Sequence, residues 1–464
     1  MIPCRDVACN GSTINISYLS GVDERDFIVT PLLLIVVYFC AYLVRSTVPD
    51  RESRAYFLPA LTVRIAGAIL VGVIYQFYYG GGDTLAYHTH GSRHIWEAFM
   101  TNPLYGLDLL LSNGVHHPET LAWSGKIWYF RDQQSFFVIR VAAVFDLLTF
   151  SSYTGTAVLF AVLSFIGAWL MYRTFYHIYP TFHRWLAVSC LFVPTVFFWG
   201  SGIFKDTITL AALGIATYCI YKVAIARSIR IKYILGVAIC LWMIYSIKIY
   251  ILLCFLPAVL LWIGIRYIAS VRQIVARVLL LPLGLACIVA LGYLAVKQVA
   301  KDDPRYNLNR IAETARVTAY DIGFWTGKDA GSGYSLGELD GTLEGMLRLA
   351  PQAINVSLYR PYLWEVNNPL MLLAALESFA LMIVTVYVLV RARLGTFRYF
   401  LHPDVIFCMV FALIFAFAVG VSTYNFGTLS RYKIPLMPFF LVGIGLIYYY
   451  SNRDRKLEQL EVTE

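Results

Sequence analysis

Lys205 and Asp206 stand side by side between two long apolar runs, in Phe198-Trp-Gly-Ser-Gly-Ile-Phe-Lys-Asp-Thr207. Ionisable groups at the edge of hydrocarbon are costly to keep and mark a functional site by default. Asp83 follows three glycines in Tyr78-Tyr-Gly-Gly-Gly-Asp-Thr84, where the backbone is free to turn tightly and to approach a ligand closely. Lys248 lies between Tyr245 and Tyr250, Arg431 and Lys433 precede the last apolar run, and Arg360 ends a long polar stretch. Cations of this kind bind phosphate through charge-assisted hydrogen bonds. A carboxylate beside them serves as general base toward an acceptor hydroxyl. The set therefore suits a phosphate-bearing lipid, with Asp83 as the base, Asp206 as support for Lys205 or a metal, and Lys205, Lys248, Arg431, Lys433 and Arg360 holding phosphate. Each residue also has a plainer reading. A Lys or Arg at the end of a span commonly snorkels to headgroups, Asp206 is placed to cap a helix, and Asp83 would simply end one in a Gly-rich turn.

His90 and His94 share a helical face downstream of Asp83, which makes them candidate ligands for a divalent cation such as Mg or Mn. No HExxH or cysteine partner accompanies them, and no motif demands any other cofactor. A P-loop, a dinucleotide fingerprint and a GxSxG elbow are all missing from the sequence.

The elements that must position these groups are apolar helices. Of 464 residues, 59% are hydrophobic and 14% charged, and mean hydropathy is +0.66. Repeated apolar runs of that kind predict an all-α polytopic membrane protein. We expect about eleven spans, near 28–45, 61–79, 155–175, 185–199, 207–225, 232–247, 249–267, 278–297, 369–390, 404–424 and 434–450. Alternate loops carry the cations: Arg45, Arg51 and Arg54; Arg173 and Arg184; Arg227, Arg230 and Lys232; then Arg266, Arg272 and Arg277; Arg391, Arg393 and Arg398; and Arg453, Arg455 and Lys456. The positive-inside rule puts these loops in the cytoplasm and the N-terminus outside. The net charge of +9 is thus a topology signal, and no nucleic-acid partner is expected. The stretch 137–150 is apolar but short, and counting it as a span would invert every later loop. It is expected to be an interfacial or re-entrant helix on the outer face. The layout is an outer tail at 1–27, a first membrane module at 28–298 with an outer loop at 80–136, a long outer loop at 299–365, closing helices at 366–450, and a cytoplasmic tail at 451–464. The first apolar run is preceded by Asp23, Glu24, Arg25 and Asp26, unlike a cleavable signal. Cys4 and Cys9 would be able to pair in an outer tail.

On Asp83 in GGGDT, Asp206 in SGIFKDT and the run Phe136-Phe-Val-Ile-Arg140-Val-Ala-Ala, residues 60–270 resemble the GT-C superfamily of polytopic glycosyltransferases. The ending Gly427-Thr-Leu-Ser-Arg431-Tyr-Lys433-Ile-Pro-Leu-Met-Pro438 is similar to bacterial polysaccharide polymerases of the Wzy or EpsG type. Departures are plain: Asp83 follows the second span instead of the first, no second acidic residue follows it, and no soluble C-terminal domain is visible. The resemblance implies a polyprenyl-linked sugar donor, a glycan or lipid acceptor, inverting transfer on the non-cytoplasmic side of a bacterial inner membrane, and Asp83 as base. Two rivals share the composition. One is a polymerase or ligase using undecaprenyl-diphosphate-linked oligosaccharide. The other is a transporter or flippase, which commonly shows inverted repeats and broken helices; no repeat is visible here.

Overall fold

A computed structural model describes residues 23–271, 311–325, 332–337, 340–393 and 395–463, with isolated positions between 273 and 298. The regular secondary structure of the described residues is helical, apart from one isolated bridge, Gly333 with Asn425. Cys4, Cys9 and most of the expected span 278–297 lie outside them.

Helices are numbered here over the described residues. The first part holds α1 (Glu24–Ser46), α2 (Arg51–Val73, prolonged by the wide turn Ile74–Tyr78), α3 (Asp83–Tyr87), α4 (Arg93–Thr101), α5 (Pro103–Leu111), α6 (Leu121–Ser124), α7 (Gln133–Thr149) and α8 (Tyr153–Ile178). Then follow α9 (His183–Leu191), α10 (Pro194–Trp199), α11 (Lys205–Ile220, prolonged to Ile225), α12 (Ile231–Ile247) and α13 (Ile249–Ala269). The rest comprises α14 (Ile311–Trp325), α15 (Leu343–Arg348), α16 (Ala350–Tyr359), α17 (Pro369–Ala392), α18 (Gly395–Phe400), α19 (Pro403–Thr423), α20 (Phe426–Tyr432) and α21 (Leu436–Thr463).

Local chemistry sets the starts of these helices. Pro103, Pro194, Pro369 and Pro403 open theirs, where the missing N–H costs nothing. Asn368 and Asn425 accept from backbone N–H groups of Met371 and Thr428, at 2.8 and 3.1 Å.

Among the described residues, seven helices are long and apolar enough to cross a membrane: α1, α2, α8, α11, α13, α17 and α19. The pair α20 and α21, bent by 68°, makes up to eight. The protein is thus a polytopic, all-helical membrane protein. Two of the expected spans differ in form. The segment 185–199 is two short helices, interrupted at Phe192 and Val193, and α12 has only 17 residues. The stretch 137–150 lies in α7, which turns back into α8 through left-handed Phe150 and Ser151. The expected outer loop 80–136 carries the short helices α3 to α6. Within 299–365, α16 buries one face against α19: its Ser357 hydroxyl donates to the Ala416 carbonyl at 2.7 Å.

Two contacts fix the scaffold under the site. The first brings α8 against α11 through small residues; a Cβ on Gly214 would lie 2.1 Å from the Gly167 carbonyl oxygen. The second involves Arg64 of α2, which is fully buried and donates to Ser164 Oγ at 2.6 Å and toward the Cys190 carbonyl at 3.5 Å. Ser164 in turn donates to the Gly200 carbonyl at 2.5 Å. Arg64 thus places its charge at the carbonyl end of α9, where the helix dipole is negative, and ties down the break that leads into Lys205.

The far end of the bundle is closed by another buried group. Asp404, at the start of α19, accepts from Trp262 Nε1 and from Arg266 Nη2, each at 2.6 Å, and from the Tyr179 hydroxyl at 2.5 Å. Lys248 and Arg266 flank or end the same helix, α13, so the Asp404 group and the Lys248 group sit at opposite ends of the bundle.

Candidate functional site

The candidate site gathers where α2 ends, α11 begins, α12 turns into α13 and α20 meets α21. Its axis is a chain of alternating charge. Lys248 Nζ donates to Asp206 Oδ1. Asp206 Oδ2 lies 3.7 Å from Arg431 Nη2, within ion-pair reach but beyond hydrogen bonding. Arg431 Nη2 donates to Asp83 Oδ2 at 2.9 Å, and its Nη1 donates to the Tyr75 hydroxyl at 3.1 Å.

Aromatic rings wall this chain. The Arg431 guanidinium lies 4.5 Å from the centre of the Phe204 ring, and Lys248 Nζ lies 4.2 Å from that of Tyr432. Stacking of cations on ring faces offsets part of their desolvation. Exposure falls from the Asp83 end into the protein: the side chain of Asp83 is 39% exposed, Arg431 17%, Asp206 1% and Lys248 8%. Asp83 is therefore the carboxylate open to solvent, and Asp206 is a buried anchor.

Glycine explains how Asp83 reaches Arg431. Gly80, Gly81 and Gly82 have φ of 66, 153 and 127°, values that side-chain-bearing residues rarely adopt. They turn the chain between the wide helical turn of Ile74–Tyr78 and α3, with Asp83 as the first residue of α3.

Lys205 and Asp206 do not form a pair, and Asp206 makes no capping bond at the start of α11. Lys205 instead lies 3.6 Å from Asp132, the residue that caps α7. Support of Lys205 by Asp206 is thus corrected to support by Asp132, with Asp206 given over to Lys248. Lys433 and Arg360 also lie apart from the chain. Lys433 is buried and donates to Ser378 Oγ at 3.1 Å, while Ser378 donates to the Arg360 carbonyl at 3.2 Å. The Arg360 guanidinium is held by both oxygens of Glu365 and lies 5.3 Å from the Phe426 ring centre. The cations expected to hold phosphate thereby divide into Lys205, Lys248 and Arg431 on one side, and Lys433 and Arg360 on the other.

His90 and His94 do not converge. The His90 ring stacks on Trp128 with centroids 4.1 Å apart, and His94 Nδ1 donates to Glu97 at 3.0 Å. Burial, with the charges of His94 and Arg93, lowers the pKa of His90; the bond from His94 lowers that of Glu97. Among the described residues no group of three or more His, Cys, Asp and Glu side chains is placed to hold a metal ion. A divalent cation therefore has no matching donor set at the two histidines.

Beside the charged chain runs a cleft of about 1000 Å³, between the end of α2, α10, α17 and α20. Leu70, Phe197, Leu373 and Phe426 line it with apolar surface, and Asn425, Ser430 and Glu377 supply its polar points. Glu377 accepts from the Thr195 backbone N–H at 2.8 Å and from its hydroxyl at 2.5 Å, so it also caps α10 from a neighbouring helix. Ser430 precedes Arg431, and Tyr78 and Tyr79 of the cleft precede the Gly80–Gly82 turn. The cleft and the charged chain thus share two segments.

No protein-family model, curated protein or solved structure matches the chain.

Proposed function

We propose that the protein is a membrane glycosyltransferase that moves a sugar from a polyprenyl-phosphate-linked donor to a glycan or lipid acceptor on the extracytoplasmic face, in the manner of the GT-C enzymes it resembles. The observation that carries this reading is the Asp83–Arg431–Asp206–Lys248 chain beside the 1000 Å³ apolar cleft. A lipid with an anionic headgroup and a long hydrocarbon tail needs both parts, close together and at a bundle end.

The charges of the site constrain how it would work. Asp83, Asp206 and Asp132 balance Arg431, Lys248 and Lys205, so the ligand-free site is neutral. A phosphate gains full attraction only by displacing a carboxylate. Asp206 is buried and held by Lys248, which leaves Asp83 and Asp132 as the groups that yield. Donor phosphate taking the Arg431 fork would free Asp83 to accept the proton of the acceptor hydroxyl. The acceptor oxygen then forms its bond to the anomeric carbon as the bond from that carbon to the phosphate oxygen breaks. The bonding pair leaves with the phosphate, whose growing charge Arg431 and Lys205 stabilise. Attack opposite the leaving group inverts the anomeric centre.

The test is Asp83→Asn, assayed in membranes with a lipid-linked sugar. Transfer should be lost while the protein stays folded, and near-normal transfer overturns the reading. A polymerase or ligase acting on lipid-linked oligosaccharide would use the same groups, and a ladder of product lengths on a gel distinguishes it. A transporter or flippase is favoured by a different observation, the interruptions at Phe192–Val193 and between α20 and α21. Transport of a labelled lipid across vesicles without any transfer would decide for it.

A further inference from the structure

A second charged groove lies at the other end of α17, away from Asp83. It encloses about 700 Å³ between α17 and α21. Its wall is the stripe Ile383, Val386 and Val390, 52, 54 and 70% exposed, spaced to fall on one face of a helix built to cross a membrane. Its mouth is lined by Arg391, Arg393 and Arg455.

Among the described residues, none of the three arginines is paired with an acidic side chain. Arg391 donates to Asn452 Oδ1 at 3.0 Å and packs on the Tyr448 ring at 5.7 Å. Arg455 donates to the Arg391 carbonyl. The Arg393 side chain has no hydrogen bond or ion pair among the described residues. Asp454, the residue before Arg455, is already engaged by Arg398 and Arg453, at 3.8 and 3.4 Å. The carbonyl end of α17 brings about half a negative charge to the same place, which three guanidinium groups outweigh.

We propose that this groove binds an anionic diacyl phospholipid of the surrounding bilayer, its phosphate on Arg391 and Arg393 and one acyl chain along Ile383, Val386 and Val390. Guanidinium forks match phosphate oxygens, and basic pockets between membrane helices are suited to anionic headgroups. The apolar stripe continues directly from the arginines, so one molecule with a charged head and a hydrocarbon tail satisfies both. A free anion would leave the stripe uncovered, and a zwitterionic lipid would leave the charge unmatched. The site does not depend on the glycosyltransferase reading.

The full chain in detergent micelles, mixed with equal amounts of phosphatidylglycerol and phosphatidylcholine, tests this by native mass spectrometry. Phosphatidylglycerol should be retained at least about tenfold over phosphatidylcholine, a preference on the scale that two surface arginines supply. The double variant Arg391→Gln/Arg393→Gln should lose that preference. Val386→Trp, which fills the groove and keeps every arginine, should reduce retention too, and it decides the matter if the arginine variant does not fold. Equal retention of both lipids by the wild type, or undiminished retention of phosphatidylglycerol by Val386→Trp, overturns the proposal. Inorganic phosphate that competes the lipid away fully at equal concentration also overturns it, since that shows a free-anion site. A dimer that Val386→Trp abolishes, with no lipid retained, shows a second copy of the chain in the groove and likewise overturns it.

Discussion

Arg431 and Asp83 are separated by 348 residues of sequence and by 2.9 Å in space. The bond is made by one arm of a planar fork whose other arm holds the Tyr75 hydroxyl at 3.1 Å. Lysine keeps the charge but lacks the fork. If the protein transfers sugar as proposed, Arg431→Lys should lower that rate by about 10²- to 10³-fold, the usual cost of one oriented donor at a developing anion. Steady-state transfer in purified membranes checks it, and a rate within a few-fold of wild type would remove Arg431 from the machinery.

Lys248 and Asp206 are a different kind of pair, since both are buried. Lys248→Met leaves the Asp206 carboxylate without its hydrogen-bonded partner, which should cost about 3–5 kcal/mol. Adding Asp206→Leu removes the stranded charge and should restore most of that stability. Denaturant titration of the single and double variants in micelles measures both effects. Both variants should lose the proposed transfer if the pair also serves the donor.

Asp404 offers a control at the opposite end. Asp404→Asn weakens the bonds from Trp262, Arg266 and Tyr179 and leaves Arg266 without a counter-charge. Arg266 keeps 28% exposure, so water compensates in part, and a loss of about 3 kcal/mol is expected. Affinity for a lipid-linked donor should be unchanged in the fraction that remains folded, which a donor-binding titration would show.

The α8–α11 contact has little tolerance. Gly214→Ala would press a methyl group to 2.1 Å from the Gly167 carbonyl oxygen and force the helices apart. Overpacking of this kind costs about 1–3 kcal/mol. Because α11 begins at Lys205, the same change should lower transfer as well as the unfolding midpoint.

Much of this was legible in the sequence, and the misses share a cause. Apolar runs revealed the long helices, and the glycines before Asp83 marked a turn carrying a carboxylate. The gathering of Asp83, Arg431, Asp206 and Lys248 matched their shared place at span ends. Pairing was the weak point. Successive side chains on a helix point about 100° apart, so adjacent Lys205 and Asp206 diverge to Asp132 and Lys248, and Lys433 turns from Arg431 toward Ser378. Asp132 was readable as a helix cap before an apolar run, though nothing local linked it to Lys205. Arg64 and Glu377 were the clearer omissions. Each is an ionisable residue inside an apolar run, the same signal that Lys205 carries. The interruption at Phe192–Val193 was announced by Pro194, which hydropathy averaging conceals.

The turn before Asp83 has an effect beyond its own shape. A Cβ on Gly82 would lie 2.6 Å from the Tyr75 ring, and Tyr75 is the other ligand of the Arg431 fork. Position 82 therefore touches both hands that hold Arg431: the backbone that delivers Asp83 and the ring that delivers the phenol. One added methyl group there would be felt at both contacts together, so a residue with no side chain acts as the common hinge pin of a grip made by two others.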